Sequence, residues 1–135
     1  MAGYSGTPLP QKLGIKPGLK VVTINAPTNY RRLVGTIPEN VMFSERLKAH
    51  SGFVHVFTKK SSELKKTLSL LRGKIADTAT VWVSWPKKSS GVPADVTEDV
   101  VRAVAIPLGF VDVKVCAIDQ TWSGLKLMIR RENRK

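Results

Sequence analysis

The sequence predicts an α/β domain built on a mainly parallel sheet, and three observations carry that reading. Short β-type apolar runs recur with amphipathic helical stretches between them. The first run is nearly continuous rather than alternating, as in a strand covered on both faces. The last two runs lie close enough together to form a hairpin. Strand, helix, strand, helix, strand, helix and a terminal hairpin imply right-handed crossovers, a three-layer arrangement and one antiparallel strand, a Rossmann-like topology.

Residues 1 to 18 are broken by Pro and Gly around Tyr4, Leu9, Leu13 and Ile15, which predicts an ordered but irregular lead-in with at most a helical turn at Pro10 to Leu13. Pro17-Gly18 is turn chemistry, and Leu19 to Asn25 then reads as the first buried strand. Thr28 or Asn29 is an N-cap candidate for a short helix through Leu33, closed by Gly35. Residues 36 to 52 admit a short strand at Val41-Met42-Phe43 and a helical turn at Glu45 to His50. Phe53 to Thr58 is the next strand. Ser61 or Ser62 is expected to cap a helix to about Gly73, with Leu64, Leu68, Leu71 and Ile75 on its inner stripe. Thr78 to Trp85 is a strand followed by the polar loop PKKSSGVPAD. A helix opens at Thr97, with Glu98 and Asp99 at its positive end and Val100, Val101, Val104 and Ala105 inward, and Pro107-Leu108-Gly109 ends it. Phe110 to Ile118 and Leu125 to Arg131 form the hairpin around DQTWSG, and residues 132 to 135 are a basic, frayed tail.

At 135 residues and 42% hydrophobic content, the chain is sized for a single domain that buries roughly two thirds of its unfolded surface. Lys and Arg number 22 against 10 Asp and Glu, a net charge of +12 that makes anionic partners plausible. The spread of Lys12, Lys16, Lys20, Lys114 and Lys126 along the chain suggests instead a generally solvated basic surface. One cysteine, Cys116, excludes an internal disulfide and fits a reducing cytoplasm. No stretch approaches the roughly 20 apolar residues of a membrane span, so a soluble cytoplasmic protein without a membrane partner is expected.

The element order and LGIKPGLKVVTIN resemble the opening of class I methyltransferases, and the terminal hairpin is similar to the last two strands of that fold. In that family the first strand enters a Gly-rich loop that admits S-adenosylmethionine. Here Asn25, Ala26, Pro27, Thr28 and Asn29 stand in that place, without glycine and with one backbone donor removed by proline. The resemblance therefore implies a degenerate cofactor loop at Asn25, Thr28, Asn29 and Tyr30, and no cofactor is expected. The words GYSGTPL, KLGIK, WVSWPKKSSG, TEDVVR, LGFVDVKVCAIDQTWSGLKL and IRREN resemble an uncharacterised bacterial family, a resemblance that implies no activity.

Ligands of open α/β sheets sit beyond the carboxyl ends of the parallel strands. The loops there carry Lys59, Lys60, Ser61, Ser62 and Lys87, Lys88, Ser89, Ser90, Gly91, two Lys-Lys-Ser-Ser runs expected to converge on one edge as an anion site. Ordinary loop and cap chemistry explains the same residues. Neither P-loop nor dinucleotide fingerprint is met. Cys116 reads as strand packing, and His50 and His55 lack companions for a metal. Asp95, Glu98 and Asp99 are accounted for by loop solvation and helix-start electrostatics, so no catalytic residue is expected. Trp82, Trp85 and Trp122 read first as core or loop anchors and second as platforms for stacked bases.

The leading expectation is a non-catalytic module that binds nucleic acid or a phosphate-bearing small molecule at the lysine-rich loops. The alternatives are an enzyme with an altered S-adenosylmethionine or nucleotide site, and an interaction or structural subunit, such as a homodimer through an uncovered sheet edge.

Overall fold

The computed structural model describes residues 7–134. Tyr4, most of GYSGTPL and Lys135 lie outside the described residues. A five-residue helix, α1 (Leu9–Leu13), opens the described chain and is closed by Gly14 in the left-handed region at φ 84°. The lead-in then turns into strand β1 (Lys20–Ile24), helix α2 (Tyr30–Val34) and strand β2 (Met42–Ser44). Residues 45–50 form no helical turn: Ser51 Oγ donates to the Lys48 carbonyl at 2.7 Å and His50 sits at φ 63°, a turn that leads into strand β3 (Ser51–Phe57).

Helix α3 (Ser61–Arg72) buries Leu64, Leu68 and Leu71, as its spacing predicts. Ile75 does not extend that stripe. Gly73 and Lys74 donate their backbone N–H groups back to Leu70 and Leu71, so the helix stops and Ile75 begins the long strand β4 (Ile75–Pro86), paired with Ser51. Helix α4 (Glu98–Ala105) has Thr97 as its N-cap, the side chain accepting from Val100 N–H at 3.3 Å. Strands β5 (Phe110–Ala117) and β6 (Trp122–Ile129) form the hairpin. Its turn is tighter than DQTWSG because Asp119 Oδ1 accepts from the N–H groups of Thr121 and Trp122, so β6 begins at Trp122. The expected frayed tail is partly ordered: residues 131–133 make a short helical turn and Arg134 Nε donates to the Ile129 carbonyl.

The six strands are ordered β2-β1-β3-β4-β6-β5. The pairs among β1, β2, β3 and β4 are parallel, and β6 is antiparallel to both β4 and β5. β5 therefore points the same way as the first four strands.

Alternate positions along the central strands feed two apolar clusters, as a period of two requires. Val54, Val56, Val81 and Val83 pack with Leu64, Leu68, Leu71, Val101 and Ala105 of α3 and α4. Phe53, Phe57 and Trp82 pack instead with Leu13 of α1 and with Tyr30 and Val34 of α2. Trp82 is fully buried and its indole N–H donates to the Leu13 carbonyl at 2.9 Å, which fastens the lead-in to the sheet. No helix among the described residues is long and apolar enough to cross a membrane.

Candidate functional site

The carboxyl ends of β1 and β3 open onto a cleft of about 460 Å³. Asn25 contributes from the residue after β1, Phe57, Thr58, Lys59 and Lys60 from the end of β3 and the residues after it, Lys66 from α3, and Trp122 from the hairpin; the carboxylate among its lining residues is Glu63. Phe57 and Trp122 meet edge to face at a centroid distance of 4.9 Å; Phe57 is buried beneath, so Trp122 supplies the exposed aromatic surface of the cleft.

The two Lys-Lys-Ser-Ser runs leave the sheet side by side and then part. Phe57 pairs with Ser84, and Thr58 N–H donates to the Ser84 carbonyl at 2.9 Å, so both runs start from one end of the sheet. Lys59 and Lys60 turn to the cleft. Lys87 does not join them: its ammonium donates to the Asp119 carbonyl at 2.6 Å and its N–H to the Thr121 carbonyl at 2.8 Å. Residues Lys88–Ser90 form a 3-10 turn closed by Gly91 at φ 75°, with Ser90 Oγ donating to the Lys87 carbonyl. Ser89 and Ser62 are exposed.

The start of α3 already holds an anion. Asp95, at the end of the loop that carries the second run, accepts from Ser61 N–H at 2.8 Å and from Ser61 Oγ at 3.0 Å. Those hydrogen bonds, with the nearby Lys60 charge, hold its carboxyl below the usual range. Neither Ser61 nor Ser62 is thus the N-cap of α3; Lys60 holds that position without a side-chain cap bond, and Asp95 supplies the acceptors from a distant loop.

The loop after β1 divides in two. Asn25 takes φ 57°, the left-handed conformation that glycine most readily supplies and asparagine tolerates. Thr28 and Tyr30 border a second hollow with Glu45, whereas Asn29 precedes α2 without a side-chain cap bond. Tyr30 is turned inward: it is 5% exposed, and its hydroxyl lies 3.0 Å from His55 Nδ1. His55 Nε2 lies 2.7 Å from Ser84 Oγ, which links α2, β3 and β4 through one hydrogen-bonded chain. Burial takes His55 down to about 3 from 6.5 and raises the Tyr30 hydroxyl above its ordinary range, so both are neutral at ordinary pH. His55 stacks on Phe57 at 4.3 Å, and Phe57 meets Trp122, an aromatic column running from the buried trio to the cleft wall. This chain was not visible in FVHVFT, where a histidine in an apolar strand carries no sign of its partners.

Trp82 and Trp85 are buried, leaving Trp122 as the tryptophan that lines the cleft. Cys116 is half-buried, and burial pushes its thiol up. Among the described residues no group of three or more His, Cys, Asp or Glu side chains stands together as metal ligands do.

Neither a protein-family model nor a curated relative matches this sequence. Among solved structures, the chain is similar to a proposed type 11 methyltransferase from Sulfolobus solfataricus, with a TM-score of 0.63 over 94% of this chain and 92% of that one, at 12% identity. The fold is therefore methyltransferase-like, and at that identity the likeness extends to the fold alone.

Proposed function

We propose that this chain is a cytoplasmic binding module of three-layer, Rossmann-like build that takes a phosphate-bearing small molecule in the strand-end cleft and acts by binding rather than catalysis. The observation that supports this reading is the company kept in that cleft. Lys59, Lys60 and Lys66 share the lining with the half-buried Trp122 around a volume suited to a nucleotide-sized ligand. Lysines act there as point charges toward phosphate, and the Trp122 ring offers a surface for a planar group. The reading draws on the first Lys-Lys-Ser-Ser run, since Lys87 of the second is held by the hairpin turn.

A second reading, an altered S-adenosylmethionine or nucleotide site, draws on the left-handed Asn25 beside a separate hollow formed with Thr23, Ile24, Ala26 and Glu45. An acidic side chain just past the second strand is suited to sugar hydroxyls. Thermal-shift measurements separate the two readings. A ligand at a hundredfold over its Kd stabilises the folded state by about 2.7 kcal/mol, which is a rise of several degrees in melting temperature. Phosphate, pyrophosphate and nucleoside phosphates are expected to give that rise, and Lys59→Ala with Lys60→Ala to abolish it. A rise with S-adenosylmethionine instead, lost in Glu45→Ala, supports the second reading. A flat response to every compound overturns both.

A further inference from the structure

Lysines far apart in sequence meet on one face of the hairpin. Lys114 of β5 and Lys126 of β6 are directly opposite each other in the ladder, and Lys126 in turn is opposite Trp82 of β4. The row therefore runs Trp82, Lys126, Lys114 across three strands, with the Lys114 ammonium 6.0 Å from the Trp82 ring centroid. The bond from Trp82 to the Leu13 carbonyl sets α1 and the residues after it along this row. Lys12 and Lys16 arrive with them: Lys16 bears electrostatically on Lys126, and Lys12 acts with Lys114 on Cys116, the next residue of β5 on that face. Partial burial, with Lys114 and Lys16 adding repulsion, lowers the affinity of Lys126 for its proton.

Like charges directly opposite in a sheet are destabilising. The nearby acid on the same strand gives no relief. A bulge between Asp112 and Lys114 turns Asp112 to the other face, where Arg102 of α4 holds it at 2.9 Å. Four lysines are thus brought together despite their like charge, and none of them lines the strand-end cleft.

We infer that this lysine face is a docking surface for the phosphate backbone of a nucleic acid, bound without reading its sequence. Charge complementarity argues for the occupant. Nucleic acid strands carry a phosphate every ~3.4 Å of rise, so several phosphates meet several lysines at once. The shape argues for an extended ligand: Lys12 borders one hollow, and Lys16, Lys114 and Lys126 line none of the five, so no single hollow gathers the row. A bilayer is disfavoured because the exposed large apolar side chains among the described residues include no aromatic to anchor in an interface.

Fluorescence anisotropy with labelled 20-mer DNA, single-stranded and duplex, tests this on the full chain. With about four phosphates neutralised, the slope of log affinity against log salt is expected to be about −3 to −4. Lys114→Ala with Lys126→Ala should reduce the slope by about two and the affinity at low salt by about tenfold or more. The same pair should melt no lower than the parent, since removing a repulsion does not unfold the sheet. Unchanged slope in that variant overturns the inference. So does a loss seen only in Lys59→Ala with Lys60→Ala, or binding to vesicles rich in phosphatidylserine without binding to either oligonucleotide.

Discussion

Lys59-Lys60-Ser61-Ser62 and Lys87-Lys88-Ser89-Ser90 are the same residues in the same order at the ends of adjacent parallel strands, yet they do different work. The first run enters a twelve-residue helix whose buried leucines fix it to the sheet, and its lysines face a cleft. The second enters a three-residue turn with no buried side chain, and its first lysine is tied to the hairpin. The difference comes from the element that each run enters and from two aspartates. Asp95 occupies the helix start that the first run creates, and Asp119 presents the carbonyl that draws Lys87 away. A short polar motif thus takes its role from the periodicity of the next element and from non-local acceptors.

The contrast breaks most severely when the platform under the first run is loosened. Leu64 is fully buried one turn into α3, and Leu64→Ala is expected to cost about 2–5 kcal/mol in chemical denaturation. No change at Lys88 or Ser89 of the second run should approach that cost, because both are exposed. If Leu64→Ala is nearly silent, α3 is not what distinguishes the two runs.

The next effect comes from the bond that joins the strands beneath both runs. Ser84→Ala removes the partner of His55 Nε2 inside the core and is expected to cost about 1–3 kcal/mol. The same site sets a pH dependence. The folded pKa of His55, about 3, lies below its ordinary 6.5, so the unfolded chain binds the extra proton first as pH falls. The stability contributed by neutral His55 is complete above pH 6.5 and declines toward pH 3, by up to about 1.4 kcal/mol per unit. Denaturant midpoints measured from pH 7 to pH 4 should fall more steeply for the parent than for His55→Gln. Parallel curves for the two proteins refute the assignment.

Much of the fold was legible because it rests on local signals. The stripe Leu64, Leu68, Leu71 is visible as spacing, Thr97 before Glu98 as a cap, and Gly109 after Pro107 as a stop. The errors fall where two local rules agree on one residue. Ile75 suits both the next turn of a helix and the first position of a strand, and only the backbone bonds of Gly73 and Lys74 decide. The site was legible as chemistry but not as assembly. Ser61 and Asp95 are 34 residues apart, and Lys87 and Asp119 are 32, separations at which periodicity carries no information. Lys12, Lys16, Lys114 and Lys126 read as scatter for the same reason, until Trp82 brings the lead-in down beside the hairpin.

The smallest effect on stability is the sharpest test of the contrast between the runs. Asp95 is exposed, so Asp95→Asn should lower the melting temperature only slightly, the amide oxygen still accepting from Ser61 N–H. Its carboxyl is held below the ordinary 3.8, so its contribution is complete above that pH and is lost as pH falls through the lower folded value. The parent should therefore lose its small advantage over Asp95→Asn in strongly acid solution. Ligand binding should move the opposite way at neutral pH. The asparagine variant no longer neutralises Lys60 and the positive end of α3, and an incoming phosphate then competes with a neutral amide rather than a carboxylate. Inorganic phosphate should stabilise Asp95→Asn at severalfold lower concentration than it stabilises the parent. Equal or weaker phosphate stabilisation in the variant would show that Asp95 completes the site rather than competing for it, and the first run would then owe its role to the lysines alone.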